Sequence, residues 1–347
     1  MCGNHTANSI LKFWHHVKTL PAFQHHDLVN SLSDDQLKKT IPFTVHADGC
    51  EFFSDQEFFA VSWSSSLGAA GAIKDVLLTK FPILVIAESH MLDDKVREGV
   101  NQVTAELVAW SLECAASGKY PTSGFRGRPF EKGTYRAALA GQPLAGEYRM
   151  AYFTFKADLK ARKECHLFKN YYLCKRMCDR CAAIQPKCPA DTNHPMVFKD
   201  MRPTAPYRTT TVSHAEYLRT ASRISPWAVV KGWSLETTSF DLMHMIFLGI
   251  ARDYVPSCLK ILRLMGYHYE PGETDEEFLR RTSWEMKLDC KSYGIYVPRR
   301  GFTVANCTFY HDEFPELGSR FKASHIKQMT WWLSFKLQKL AKRDSHF

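Results

Sequence analysis

The stretch EYRMAYFTFKADLKARKE, residues 147–164, joins two patterns of secondary structure at one acidic residue. Its first half is rich in aromatic and apolar residues and predicts a β-strand that runs into Asp158. Its second half, LKARKE, predicts a helix that the side chain of Asp158 can cap. Because ligands and metals in α/β proteins are commonly held at the ends of strands, Asp158 is a candidate site residue.

A second acidic residue also closes a predicted strand. The segment PFTVHADG, residues 42–49, predicts a strand that ends at Asp48. Two further strands are predicted at residues 57–67 and 81–89, and residues 91–118 predict a long amphipathic helix. These strands and helices predict an α/β fold.

The two ends of the chain are predicted to be mainly helical. The apolar residues within 1–40 are spaced as in short helices. Residues 240–266 predict a strong helix that Pro256 should kink or divide. Residues 271–287 predict a charged helix pair. The last segment spaces its apolar residues as one helical stripe, namely Ile326, Met329, Leu333, Leu337 and Leu340.

Composition limits the possible classes of protein. Of the 347 residues, 45% are hydrophobic and 23% are charged, which is ordinary for a globular protein and unlike a disordered one. The length predicts two domains, or one large domain with an insertion. No apolar run approaches the roughly 18 residues that cross a bilayer, and the first residues lack a signal-peptide pattern. We therefore expect an intracellular protein that makes no use of a membrane.

Positive charge is concentrated in the middle of the chain. The formal charge is +9, and residues 119–180 contain 14 Lys or Arg against 5 Asp or Glu, a difference equal to the whole excess. Within this region, residues 119–146 are rich in glycine and proline and predict a long loop or insertion. Such a segment suits a polyanion such as nucleic acid, but a solvated basic face would give the same pattern. Charge alone does not decide between the two.

Five of the eleven cysteines fall between Cys165 and Cys188. An odd count without a signal peptide argues for reduced thiols and against a disulfide framework. The C-x2-C pair of Cys178 and Cys181 can hold one metal ion, and zinc suits sulfur and nitrogen donors. The predicted zinc ligands are His166, Cys174, Cys178 and Cys181, with Cys188 as a substitute for either of the first two. The alternatives are buried free cysteines with one chance pair and, less favoured, a redox pair.

Asp48 and Asp158 together predict a second kind of metal site. Two carboxylates on adjacent strand ends can hold Mg²⁺ or Mn²⁺, and two such ions about 4 Å apart can promote phosphodiester cleavage. Asp241 and His244 lie three residues apart on a predicted helix, so they can reach one site. Each residue also has a simpler interpretation. Asp48 suits a turn, Asp158 and Asp241 suit helix caps, and His244 suits a core histidine.

Five short motifs follow one another along the chain: VHADG, KADLKA after a long insertion, the C-x2-C pair, FDLMH and FKASHIKQM. Taken in this order, they resemble the transposases of CACTA-type (En/Spm) DNA transposons. The resemblance covers residues 44 to about 335 and depends on the order of the motifs. It implies a ribonuclease-H-like catalytic domain with an Asp, Asp, Glu triad. Asp48 matches the first acid, Asp158 the second, and Asp241 with His244 the D-x-x-H pair.

The third acid departs from the family pattern. In the family it is a Glu downstream of the element that KASHIKQM resembles, and this chain ends there. Glu313 and Glu316 in HDEFPELG are the nearest internal alternatives, although they precede that element. The resemblance therefore implies an incomplete triad, in a truncated or decayed copy or a gene fragment.

The resemblance also implies an architecture. We expect a ribonuclease-H-like mixed sheet with flanking helices, a small zinc-knot insertion and a mostly helical C-terminal part. The expected division is an N-terminal helical segment at residues 1–40, the first part of the core at 41–164 with a loop insertion at 119–146, the Cys/His insertion at 165–210, and an incomplete helical part at 211–347.

The implied function is that of a transposase-derived protein, resembling a metal-dependent DNA strand-cleavage and strand-transfer enzyme but catalytically incomplete. Mg²⁺ or Mn²⁺ would be the catalytic cofactor, Zn²⁺ a structural one, DNA the partner and the nucleus the location; the oligomeric state is not defined. The residues expected to contact DNA phosphates are Arg126, Arg128, Lys132, Arg136, Lys160, Arg162 and Lys163. The alternatives are a non-catalytic, zinc-stabilised nucleic-acid-binding protein and a globular protein of unrelated role that uses zinc only for structure.

Overall fold

The structure, a computed structural model, describes residues 6–53, 56–67, 79–91, 93–171, 173–191, 193–200, 202–267, 270–296, 300–310 and 314–344. It divides the chain into two compact units, Met1–Phe240 and Asp241–Phe347, which are called unit 1 and unit 2 below. Residues 211–240, which the sequence assigned to the C-terminal part, therefore belong to unit 1.

Unit 1 is built on a five-stranded mixed sheet. Its strands are β1 (Thr40–Phe53), β2 (Gln56–Ser65), β3 (Phe81–Ala87), β4 (Arg149–Ala157) and β5 (Thr238–Phe240). The order across the sheet is β3-β2-β1-β4-β5. Strand β2 is antiparallel to β1 and β3, whereas β1, β4 and β5 run parallel. This sheet confirms the predicted α/β fold and the strand predicted before Asp158.

Helices flank the sheet of unit 1. They are α1 (Ala7–Lys18), α2 (Asp27–Ser31), α3 (Asp34–Leu37), α4 (Asp94–Ser117), α5 (Tyr135–Leu139), α6 (Leu159–His166) and α7 (His214–Thr220). The long helix predicted at residues 91–118 is α4, and it ends at Gly118, whose positive φ of 70° closes the helix as expected. Its buried face joins one core cluster with Val45, Phe155 and Cys165.

The N-terminal helices are fixed to the sheet by buried polar contacts. The indole of Trp14 donates to the carbonyl oxygen of Thr40 over 2.6 Å. His26 caps α2: its Nδ1 accepts from the Val29 amide, so Nε2 carries the proton and donates to the carbonyl of Tyr152 over 2.9 Å. Gly232, with φ of +90°, lies directly against this ring, and a Cβ atom there would be 2.1 Å from His26 Nε2. Only glycine fits that approach.

Unit 2 is helical. A π-helical segment (Met243–Ile250) leads into α8 (Ala251–Leu264), which is followed by α9 (Asp275–Ser292) and α10 (Ala323–Asp344). Pro256 lies inside α8 and does not divide it, and the predicted helix pair at 271–287 is a single helix capped by Thr274. The predicted stripe of α10 is confirmed, since Ile326, Met329 and Leu333 are buried in the core of this unit.

Among the described residues, no helix is both long and apolar enough to cross a membrane.

Candidate metal centre

On three parallel strands of unit 1, the residues that lie side by side at one level of the sheet are each followed in the chain by an aspartate. Ala47 on β1 pairs with Ala157 on β4, and Ala157 in turn pairs with Phe240 on β5. The next residue of the chain after each of these is acidic, namely Asp48, Asp158 and Asp241. The parallel register therefore brings Asp48 and Asp158 to adjacent positions at one level of the sheet.

The carboxylates of Asp48 and Asp158 are close enough to share a cation. Their oxygen atoms lie within 4.8 Å of each other, and both residues are half-buried. An ion that binds oxygen at about 2.1 Å bridges ligands up to about 4.2 Å apart, so a small rotation of either side chain suffices. The donor set consists of carboxylate oxygens, which hard ions such as Mg²⁺ and Mn²⁺ prefer. The residues present therefore fit the metal that the sequence predicted.

Asp158 also has a structural role. It caps α6, because its Oδ1 accepts a hydrogen bond of 2.6 Å from the amide of Ala161. The amide of Arg162 donates to the carbonyl oxygen of Asp158 over 2.9 Å and closes the first turn. The cap interpretation of Asp158 is thus correct as well. It does not exclude cation binding, since a carboxylate has two oxygens and the helix N-terminus stabilises its negative charge.

Charged side chains hold α6 against its neighbours. Nζ of Lys160 lies 3.0 Å from Glu57 and 3.4 Å from Glu88. Glu164 pairs with Arg97 of α4 at 2.6 Å. Burial raises the pKa of Glu164, and the charge of Arg97 opposes this shift. Sequence reasoning missed Glu57 and Glu88 as partners of Lys160 because they are distant from α6 along the chain.

The D-x-x-H residues belong to unit 2. His244 Nδ1 and Asp241 Oδ2 are hydrogen bonded at 2.7 Å, so the two side chains meet, with Asp241 just before the π-helical segment. Glu313, the predicted third acid, lies outside the described residues. Glu316, the other sequence candidate, is exposed and pairs with Arg252 at 2.9 Å.

His166 is a core residue. Its ring is fully buried, and its Nδ1 is hydrogen bonded with Ser225 Oγ at 3.0 Å. Burial lowers its pKa well below the ordinary value, and the charges of Arg162 and Arg180 add to the shift. The surrounding rings are those of Phe155, Phe168, Trp227 and Trp233. The zinc-ligand role predicted for His166 is therefore corrected to that of a core histidine.

Cys178 and Cys181 do come together. Their thiol groups contact each other, and burial raises the pKa of Cys178 to about 11. The amide of Arg180 donates to Cys178 Sγ over 3.3 Å. In the described part of the chain, neither Cys174 nor Cys188 joins the pair to give three donors within 4.8 Å of one another. The predicted ligands as placed thus do not make a four-ligand zinc shell.

Three of the seven basic residues assigned to DNA are engaged on or beside α6. Arg162 is 1% exposed and forms an ion pair with Asp179, so its predicted contact with phosphate is corrected to a buried structural role. Lys160 bridges two glutamates, as described above. Lys163 lies over the ring of Tyr171 at 4.2 Å.

The other four basic residues lie in the loop at 119–146. Arg126 forms an ion pair of 2.5 Å with Glu106 of α4, which fixes this part of the loop. Arg128, Lys132 and Arg136 are exposed. No ion pair joins these last three to another residue that the structure describes. Together they are called the basic loop, in which Arg136 lies on the short helix α5, and they are the residues of the predicted set that remain available for phosphate.

Comparison of the chain with protein-family models, with curated proteins and with solved structures gives no match. The fold and the site define a mixed α/β protein with a carboxylate pair on two neighbouring parallel strands.

Proposed function

We propose that the protein is derived from a DNA transposase of the ribonuclease-H-like class, and that Asp48 and Asp158 hold a divalent cation suited to phosphodiester cleavage. The observation that supports this most is the approach of the two carboxylates to within 4.8 Å on parallel strands β1 and β4. The five-stranded mixed sheet with flanking helices is compatible with that class.

Mg²⁺ or Mn²⁺ at this pair would activate water and stabilise the leaving oxygen of a phosphodiester. Asp48 and Asp158 would supply oxygen ligands, and Asp158 would do so from the N-cap position of α6. Asp241 directly follows β5 in the chain and belongs to the D-x-x-H pair of the sequence motifs. Its hydrogen bond with His244 would orient both side chains.

The proposed centre is incomplete as a triad, because Asp48 and Asp158 supply two acids and the third remains a sequence prediction. A second candidate function is therefore non-catalytic binding of DNA. The exposure of Arg128, Lys132 and Arg136 on one loop favours it. DNA as the partner and the nucleus as the location belong to both proposals.

The test is a Mn²⁺-dependent nicking assay on supercoiled DNA with wild type and Asp158→Asn. Asparagine also caps helices, so this variant keeps α6 and removes only the negative charge. The matched control is Asp35→Asn, an exposed aspartate on α3. We expect wild type and control to nick equally and Asp158→Asn to be at least about tenfold slower, a loss of about 1.4 kcal/mol. Equal nicking by all three would contradict the proposal, and Mn²⁺ binding without nicking by wild type would favour the second candidate.

A further inference from the structure

The two residues between Cys178 and Cys181 connect this turn to the elements that carry Asp158. Asp179 forms an ion pair with Arg162 of α6, and the two side chains are 4% and 1% exposed. Arg180 donates to both the carbonyl oxygen and the hydroxyl oxygen of Thr238 on β5. Strand β5 pairs with the end of β4, and α6 begins directly after Asp158. The turn is therefore attached both to α6, which begins after Asp158, and to β5, which pairs with β4.

Of the ion pairs that anchor α6 among the described residues, Arg162–Asp179 is the most buried. The guanidinium of Arg162 lies 4.2 Å over the ring of Phe240, and its Nε and Nη1 atoms have no hydrogen-bond partner among the described residues. Removing the carboxylate partner of a buried cation typically costs about 3–5 kcal/mol. By comparison, Lys160 is 46% exposed, and ion pairs of that kind contribute about 0–1 kcal/mol.

Arg162 lies one helical turn after Asp158, and the first turn of α6 connects it to the Asp158 carboxylate. The amide of Arg162 donates to the Asp158 carbonyl over 2.9 Å, and the amide of Ala161 donates to the Asp158 side chain over 2.6 Å. A shift of Arg162 would move the first turn of α6 and, with it, both of these bonds.

We propose that Asp179 is a positioning residue for the candidate metal centre: its buried ion pair with Arg162 holds α6 so that the Asp158 carboxylate faces Asp48. The inference rests on the proposed function in one respect, namely that Asp158 binds a cation. It gives the C-x2-C turn a role that does not require zinc, since the turn delivers Asp179 to Arg162.

The test compares Asp179→Asn with the control Asp200→Asn, an aspartate of the same insertion whose partner Arg202 is exposed. Two quantities are measured on folded protein: the dissociation constant for Mn²⁺, and the hydrogen exchange of peptides covering Leu159–His166 relative to β1. We expect the Mn²⁺ dissociation constant to rise about tenfold or more in Asp179→Asn, the exchange of α6 to accelerate, and Asp200→Asn to match wild type.

Because Asp179→Asn leaves a buried cation and can unfold the protein, the double variant Arg162→Gln, Asp179→Asn is measured as well. It removes both charges and leaves none unpaired, so we expect it to fold, with weakened Mn²⁺ binding and faster exchange in α6. Wild-type values of both quantities in a folded variant would overturn the inference and leave Asp179 with a purely structural role. If wild type binds no Mn²⁺, the proposed function fails and the metal-positioning role of Asp179 fails with it; faster exchange of α6 would then show only that the buried pair holds the helix. If wild type binds Mn²⁺ but the folded variants keep its affinity, the proposed function stands and the inference alone is overturned.

Discussion

Asp48 on β1 and Asp158 after β4 hold their carboxylate oxygens within 4.8 Å of each other on neighbouring parallel strands. Two like charges at that distance repel by about 3.5 kcal/mol at an effective dielectric constant of about 20. A divalent cation between them would convert this repulsion into attraction. The pair is therefore the feature of the fold that most directly indicates a function.

The basic loop should contribute a measurable share of DNA affinity. Each phosphate contact adds about 0.9 to the slope of log affinity against log salt concentration. We expect simultaneous replacement of Arg128, Lys132 and Arg136 by alanine to reduce the slope by about 2.7, measured by fluorescence anisotropy over a salt series. The charge-matched control replaces three exposed basic residues elsewhere in unit 1 by alanine, namely Lys12, Lys95 and Lys199. An equal loss of slope in both triple variants would show that the loop has no special role.

Zinc, if it binds, should depend on the cysteine pair and not on His166. We expect metal analysis of folded Cys181→Ser protein to show less zinc than wild type, because one of two adjacent thiol donors is lost. His166→Gln should keep the wild-type zinc content, since the ring is buried in an aromatic cluster. Zinc loss in folded His166→Gln would reinstate the histidine as a ligand, and a zinc-free, stably folded wild type would remove the zinc prediction.

The stability of unit 1 should decrease as the pH is lowered, because folding excludes a proton from His26. Burial lowers the pKa of His26, although its bond to the Tyr152 carbonyl opposes the shift. Below about pH 6.5 the unfolded chain therefore binds a proton that the folded chain excludes, and the free energy of unfolding decreases by at most about 1.4 kcal/mol per pH unit. Above that pH, His26 does not contribute to the pH dependence of the free energy of unfolding.

Urea unfolding at several pH values between about 7.5 and 5.5 measures this contribution. His26→Asn keeps a capping side chain at the start of α2 and does not titrate, so its stability should depend less on pH than that of wild type. His16→Gln, which removes an exposed histidine of α1, is the control. An unchanged pH dependence in His26→Asn would contradict the neutral, buried state of this ring.

Gly232→Ala should destabilise the protein strongly. Its Cβ atom would lie 2.1 Å from His26 Nε2, and the positive φ adds strain for any side chain. Gly141 has φ of +76° but nothing within 4 Å of its position, so Gly141→Ala isolates the backbone strain. We expect a cost of about 1 kcal/mol in the control and at least about 2 kcal/mol more in Gly232→Ala, measured by urea unfolding. Equal losses in the two variants would show that the His26 contact is not restrictive.

The strands were predictable where local patterns and tertiary structure agree. The aromatic and β-branched run before Asp158 forms β4, and the apolar run at 81–87 forms β3. The predicted strand end at Asp48 is wrong, because Asp48 pairs with Ala60 and Gly49 with Phe59 in the continuing ladder with β2. Cross-strand pairing there outweighs the turn preference of Asp-Gly.

Other features depend on contacts that are remote in the sequence. Strand β5 has three residues, too few for a periodic pattern, and forms only because β4 offers an edge. His166 looks like a metal ligand beside a cysteine cluster, yet the residues that bury it, such as Trp227 and Trp233, come some sixty residues later. Arg162 likewise has no sequence signal for burial, since its partner Asp179 lies in another segment. Long-range packing decided each of these cases.

The most direct test of the carboxylate centre is a calorimetric titration of Mn²⁺ into wild type, Asp48→Asn, Asp158→Asn and the control Asp35→Asn. Asparagine preserves size and, at Asp158, the cap of α6, so a change in affinity reports the lost ligand charge. We predict the same saturable binding in wild type and control, and a dissociation constant raised at least about tenfold in both centre variants. Equal Mn²⁺ affinity in all four proteins would contradict the assignment of a metal centre to Asp48 and Asp158.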